Sequence, residues 1–407
     1  MSVIVKRGKV PKTPHTEFYA KEGVLALEEI HGTYGFSGAY SRKMHVRRYP
    51  TEQARPPRSA GFNLKAEAAP ELPLQPFHIR TGRIPYGGDF NRARKLLLFG
   101  KSTSISVSKP DKSSPEKEFF RNGEAHEAYF VQEGEGVLAS EYGELPFKAG
   151  QYVIVPKGTT CQVRLTGAKA FFFVIESTYP IYFAPHHLNA HGQATLMAPV
   201  VETEIGLPEL PAALDETGEF AVLVKHNGGR VTRLTLGHHP FDLAGWEGAL
   251  YPFTFESSDH HSLSREIHTA PPVRQTFQSG TAPHNGFSIC TFRAQMEGWH
   301  PLEIPAPYAH YNADSDEVMF FSNTNYGARQ GVIEPGSMTF HPGSLPHSPQ
   351  GDAALKSRAA RGKLSNYLAV MIDTFFESLE PTKTAVAYSD KGYPLSWARK
   401  GADATSA

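Results

Sequence analysis

Cysteine is almost missing from this chain: two of 407 residues, Cys161 and Cys290. That excludes a disulfide framework and a cysteine-rich zinc site, and it suits a reducing compartment. An excess of either charge is also lacking, since 41 Lys and Arg balance 41 Asp and Glu. No basic field exists to hold a nucleic acid or an acidic surface. No stretch approaches the roughly 18 apolar residues of a membrane span, and the opening MSVIVKRGKVPKTPHTEF holds no apolar run of signal-peptide length. These absences predict a cytoplasmic protein with neither nucleic-acid nor membrane partners. Clear helical periodicity is scarce as well. The best candidates are short: ALEEIHG at 26–32, and the region from KLSNYLAV to FFESL, which reads equally well as strand.

What the chain does have is 40% hydrophobic residues, 19 histidines, 36 glycines and 32 prolines. The apolar share is ample for packed cores. Gly and Pro cut the sequence into short β-rich runs such as KLLLFGKSTSISVS (95–108), GQYVIVPKG (150–158), CQVRLTG (161–167) and FFFVIES (171–177). Strands of this length, with turn signals every 8 to 12 residues or so, predict an all-β sandwich or barrel. PELPLQPF (70–77) and PELPAALDETGEF (208–220) read as connections. The second suggests an N-terminal β domain over 1–210 and a C-terminal one over 211–407. The extreme C-terminus, KGADATSA, reads as frayed.

The two halves repeat a layout. In the first, Glu127 stands seven residues before Gly134, and Gly150, Pro156, Gly158 and Cys161 follow. In the second, His310-x-Asn312-x4-Glu317 is followed by Gly336, Pro342 and His347. Both resemble the two-part signature of cupins, small jelly-roll barrels whose first motif supplies His and Glu and whose second supplies another His. The resemblance implies a bicupin with few short helices.

The chemistry of the second copy follows from its residues. Side chains alternate along a strand, so His310 and Asn312 share a face, and a turn through Asp314 to Asp316 brings Glu317 back beside them. Two imidazoles and one carboxylate on one side of an ion leave the opposite positions open, the facial triad of non-haem Fe(II) enzymes that activate dioxygen. His310, Glu317 and His347 supply that set. Asp316 is a substitute carboxylate, less favoured because VMFF directly after Glu317 reads as its anchoring strand. In the first copy the equivalent positions hold Phe120, Asn122 and Cys161. That half is expected to be metal-free, with His126 an ordinary polar residue.

A closer resemblance runs over most of the chain. GKVPKTPHTEF, HGTYGFSGAYSRKMHVRRYPTE, FDLAGWEGALYPFTFES, IHTAPPVRQTF, WHPLEIPAPYAHYNADSDEVMFF and GSMTFHPGSLPHSPQGD are similar to the homogentisate 1,2-dioxygenase family in its shorter bacterial form. That family opens the ring of homogentisate with Fe(II) and dioxygen, giving maleylacetoacetate in tyrosine and phenylalanine breakdown. The resemblance implies metal ligands at His310, Glu317 and His347, a further histidine near the iron at His341, and a homo-oligomer. It also implies a catalytic base, for which the candidates are His284 in APHNGF, His268 in REIHTAPPVRQTF, and His341. Tyr326 matches a substrate-contacting tyrosine. Arg274, which replaces a histidine of the short forms, and Arg329 are candidates to bind the substrate carboxylate, with a guanidinium fork matched to two oxygens. These departures leave room for a gentisate-like acid as substrate, and a non-redox cupin isomerase or a binding protein remain open.

Overall fold

The computed structural model describes residues 3–46, 51–263, 266, 271–281, 284–329 and 331–397. Strands dominate it, and the α-helices among the described residues are two five-residue segments, Ala353–Ser357 and Lys383–Ala387. The period-two alternation of the apolar runs explains the layering. In the strands His126–Glu133, Gln151–Val155 and Phe171–Ser177, the residues Tyr129, Val131, Val153, Val155, Phe172 and Val174 fill an N-terminal core with Leu138, Phe147 and Val163. Their alternates, Ala128, Phe130, Tyr152, Ile154, Phe173 and Ile175, face the other way into a large core shared with the C-terminal half.

That half is built on one antiparallel sheet. Its strands, in chain order, are β1 (Phe77–Ile79), β2 (Ile181–Phe183), β3 (Gln275–Gly280), β4 (Gly286–Phe292), β5 (Glu317–Phe321), β6 (Ser337–His341) and β7 (Ala369–Phe375). Their spatial order is β2-β3-β4-β7-β5-β6-β1. Phe287, Ile289, Val318, Phe320, Val370 and Ile372 point into the shared core. Cys290, Phe292, Met319, Phe321 and Met371 point to the opposite face, with Tyr367 and Tyr326. Two sheets thus lie back to back, and the free face of the C-terminal one is where a site can be built.

Two expectations need correction. ALEEIHG is not a helix: Leu27–Gly32 is a strand paired with Tyr40–His45. Cross-strand charge decides this, since Glu28 reaches Arg42, and Glu29 reaches Lys43 and His45. Nor do the strands divide at residue 210. β1 and β2 come from before it, yet edge the C-terminal sheet. Thr217–His226, Arg230–His238 and Phe253–Glu256 come from after it, yet extend the N-terminal sheets. Each half lends edge strands to the other, so a cut in one connection separates no independent core. The region 369–375, left open between helix and strand, is β7.

Candidate metal centre and its cavity

His310 and His347 are held together by their own backbones. Each amide donates to the other's carbonyl at 2.9 Å, an isolated antiparallel bridge outside the sheet. Glu317 opens β5, and the loop before it is fixed by Asp316. One carboxylate oxygen of Asp316 accepts from the Gly343 amide at 2.6 Å and the other from the Leu379 amide at 2.7 Å, while its own amide donates to Thr374 Oγ1 at 2.9 Å. Both its oxygens are occupied, so Asp316 is the staple that presents Glu317 and not a ligand. Gly150 and Gly336, at matching places in the two motif copies, have φ of 89° and 66°. This is the left-handed turn for which glycine is suited.

The three motif residues converge. His310 Nε2 lies 3.4 Å from Glu317 Oε2, and His347 Nε2 lies 3.4 Å from Glu317 Oε1. One donor atom from each residue falls within 4.8 Å of the others. Donors about 2.1 Å from an ion stand roughly 3 Å apart when adjacent, so the set suits one divalent metal. The donor chemistry agrees at His347, whose Nε2 faces Glu317 and is buried without a hydrogen-bond partner among the described residues. Burial by itself would raise the Glu317 carboxyl, but the imidazoles of His310, His341 and His347 outweigh it and hold the group well below the ordinary range. It is an anion, as a ligand must be.

His341 stacks on His347 with ring centroids 4.1 Å apart and planes 14° from parallel. Its Nδ1 is 3.0 Å from Glu317 Oε1 and its Nε2 3.0 Å from the Tyr393 hydroxyl. Burial pushes this imidazole down to about 4, so the ring is neutral near pH 7. A carboxylate cannot donate, so Nδ1 carries the proton and Nε2 accepts from Tyr393. With both nitrogens engaged, His341 orients Glu317 and is not free to accept a substrate proton, contrary to the sequence expectation.

His310 and Glu317 line a cavity of about 910 Å³. Arg274 lies in its wall, buried, over the Phe292 ring at 4.6 Å and with Nη1 3.5 Å from the Tyr367 hydroxyl. It has no acidic partner among the described residues, and its Nε is unpaired. Arg329 also lines the cavity but is committed: Nη1 donates to the Ser348 carbonyl at 2.6 Å, and the guanidinium lies over Trp397. Tyr326 stands edge-on to Phe292 and Tyr367, with burial pushing its phenol up to about 12. His284 is exposed on the turn between β3 and β4, outside the cavity lining, because the hairpin carries it past the end of the sheet. His268 lies outside the described residues.

The structure adds Asp373, which sequence reading passed over. Across four strands Ser288, Asp373, Glu317 and His341 are directly opposed and share one face. The first three of these line the cavity. Burial, with Glu317 alongside, pushes the Asp373 carboxyl well above its ordinary range, and its Oδ1 is buried without a partner among the described residues. The signal was present in AVMIDTF, a carboxylate among apolar residues on the face shared with Met371.

In the N-terminal copy the place of a metal is taken by the chain's own cations. Arg94 Nη1 donates to Glu127 at 2.7 Å and lies 3.3 Å from Glu176, which also receives Lys225 Nζ and Asn122 Nδ2 at 2.6 Å. Tyr129 donates to the other Glu127 oxygen at 2.7 Å. His126 is buried, with Nδ1 accepting from the Lys157 amide at 3.1 Å. Cys161 and Cys290 are unbridged and buried. No helix among the described residues is long and apolar enough to cross a membrane.

Residues 103–257 match the family model described as the N-terminal part of homogentisate 1,2-dioxygenase. The Saccharolobus solfataricus protein called "Putative dioxygenase SSO1533" is 31% identical over 393 residues, which are 96% of this chain and 98% of that one. Homogentisate 1,2-dioxygenase of Bradyrhizobium diazoefficiens is 25% identical over 267 residues, 63% of this chain and 57% of that protein. Among solved structures, a cupin 2 conserved barrel domain protein from Leptotrichia buccalis overlays with a TM-score of 0.36 at 8% identity, covering 75% of this chain and 99% of its own.

Proposed function

The chain belongs to the homogentisate 1,2-dioxygenase-like family of cupins, and from that premise we propose that it is an Fe(II)-dependent cytoplasmic enzyme that opens the ring of a dihydroxylated aromatic acid. Homogentisate is the foremost candidate, with maleylacetoacetate as product in tyrosine and phenylalanine breakdown. The observation that carries this reading is the convergence of His310, Glu317 and His347 beside a cavity whose wall holds Arg274, which has no acidic partner among the described residues. A ferrous ion on those ligands would supply the one-electron chemistry that dioxygen needs to react with a phenolate.

The chain's own residues do the rest. Glu317 contributes a negative charge, and His341 fixes its orientation through Oε1. Arg274 is free to take a carboxylate in its planar fork, with the Tyr367 hydroxyl at its edge. Tyr326, Phe292 and Tyr367 offer ring faces and edges against which an arene packs. Met319 and Met371 line the same cavity and give it an apolar floor. Holding acid and ring together at one orientation determines which ring bond faces the metal side, and orientation of this kind is a large share of catalytic advantage.

The test is oxygen-electrode assay of anaerobically Fe(II)-loaded protein with homogentisate, gentisate and other dihydroxyphenyl acids. One dioxygen consumed per ring opened, with both atoms of labelled dioxygen in the product, is the expected result. Metal-dependent conversion without oxygen uptake would assign an isomerase, and binding without conversion a carrier.

A further inference from the structure

Among the described residues, the cavity lining includes polar groups that neither the metal ligands nor the carboxylate-binding arginine explains, and Asp373 is the one beside the triad. Asp373 lies on β7, the strand between β4 and β5. It has Ser288 directly opposite on one side and Glu317 on the other. Its Oδ1 is buried with no hydrogen-bond partner among the described residues, and the residue lines the cavity. The neighbours on the same face of β7 and β5, Met371 and Met319, are apolar. A buried acceptor without a donor costs about 1–3 kcal/mol and is normally satisfied. It persists where a ligand completes it.

Its place in the sheet says which part of a ligand that is. Arg274 directly precedes β3, whereas Glu317 opens β5. Their backbones are three strand spacings apart, roughly 14 Å, and offset by about three residues along the strands, since Gln275 falls in the row of Cys290, Met371 and Met319; the long side chains reaching inward shorten the gap toward the length of a substituted ring. Asp373, directly opposite Glu317 on the adjoining strand, faces the triad end of that span, on the side toward Arg274. A ring with one hydroxyl at the triad and its acid at Arg274 therefore lies against Asp373.

We propose that Asp373 is a specificity-determining residue that accepts a hydrogen bond from the ring hydroxyl not directed at the metal ligands, so that the site selects diols over monohydroxy acids. This rests on the reading of the site given above. Ser288, beside Asp373 in the same row, can support it from the β4 side.

The experiment compares 2,5-dihydroxyphenylacetate with 2-hydroxyphenylacetate, which keeps the acid arm and the adjacent hydroxyl but lacks the second one. Anaerobic calorimetry on the full-length Fe(II)-loaded protein gives two dissociation constants for wild type, Asp373→Ala and Asp373→Asn. In wild type the diol should bind about tenfold or more tightly than the monohydroxy acid, as expected for a buried hydrogen bond whose acceptor is otherwise unsatisfied. In Asp373→Ala the ratio should collapse to within about twofold, and in Asp373→Asn, which keeps a carbonyl acceptor, part of it should return. A ratio unchanged by Asp373→Ala, or close to one in wild type, overturns the proposal. Oxygen uptake in the same samples separates the two readings. Turnover with an unchanged ratio removes Asp373 and leaves the dioxygenase reaction, whereas a collapsing ratio without turnover keeps Asp373 as a ligand contact and removes the reaction.

Discussion

Replacing Arg274 by Leu should weaken substrate binding without weakening the fold. Arg274 is 5% exposed and has no carboxylate partner among the described residues. What holds it is the face of Phe292 at 4.6 Å and one long contact to Tyr367. A cation–π contact of this kind contributes about 1–2 kcal/mol when desolvated. A buried guanidinium with an unsatisfied Nε costs about as much or more. Leu covers Phe292 and removes the desolvated charge, so the two effects offset. The midpoint of thermal unfolding should then stay level or rise by a few degrees, at about 1–2 °C per kcal/mol for a chain of this size. Binding follows different arithmetic. A two-pronged contact to a substrate carboxylate is worth about 2–3 kcal/mol, or roughly 30- to 150-fold. That loss should fall on homogentisate and spare hydroquinone, which has no acid arm. The measurement is kcat/KM by oxygen uptake for both compounds, with calorimetric melting of the same samples. Arg274→Lys should recover only part, since an ammonium lacks the planar fork. Arg329→Leu serves as contrast, because its guanidinium is already spent on the Ser348 carbonyl and Trp397, and it should not discriminate between the two compounds. Equal losses on homogentisate and hydroquinone in Arg274→Leu, or a melting point lower by more than a few degrees, would show that the arginine is structural.

Three further outcomes follow from the geometry. His347→Ala should abolish stoichiometric iron binding in metal analysis, and His341→Phe, which leaves all three ligands but frees Glu317 Oε1, should weaken it about 10- to 100-fold; full occupancy in His347→Ala would refute the ligand set. Asp316→Ala strands the Gly343 and Leu379 amides and should cost about 2–4 kcal/mol in urea unfolding, with Asp316→Asn intermediate; a loss under about 0.5 kcal/mol would deny the staple. His45 sits between Asp242 Oδ1 at 2.6 Å and Glu29 Oε2 at 2.9 Å; burial would lower it, but those hydrogen bonds prevail and raise it to about 9. A raised folded value means stability fully present below the unfolded value near 6.5 and lost as pH climbs through 9. At about 1.4 kcal/mol per unit the loss is roughly 3 kcal/mol. A His45→Gln variant should lack that slope between pH 6 and 9.5, and identical slopes in both proteins would exclude the linkage.

Much of this was readable from residue order. The β-rich punctuation by Gly and Pro and the repeated motif led to an all-β chain, and the spacing His310-x6-Glu317 with His347 picked out residues that do converge. What sequence could not show depends on contacts far apart in the chain. Leu27–Gly32 has good helix formers, but Arg42, Lys43 and His45 on the next strand satisfy its glutamates only in extended form. The exchange of edge strands across residue 210 was not legible, because it leaves no trace in local composition. His284 and His341 both looked equipped for proton transfer, yet one projects beyond the sheet and the other has its two nitrogens engaged. Asp373 was invisible as part of a site because its relation to Glu317 is a register pairing between strands that are 56 positions apart in the chain, the difference between 373 and 317.

The alternation of the C-terminal sheet also divides its residues by the kind of selection they face. Even positions on β5 and β7, Val318, Phe320, Val370 and Ile372, bind the two halves together through the shared core. Their odd neighbours Met319, Met371 and Asp373 touch only the cavity side. Substitutions in the first set threaten the folded state of the whole chain, whereas those in the second change the shape and polarity of a hollow. A lineage can therefore explore new aromatic acids by drifting at every second residue while its neighbours stay constant. Enzymes of divergent substrate choice built on this sheet should differ in a two-residue rhythm, written along β5 and β7.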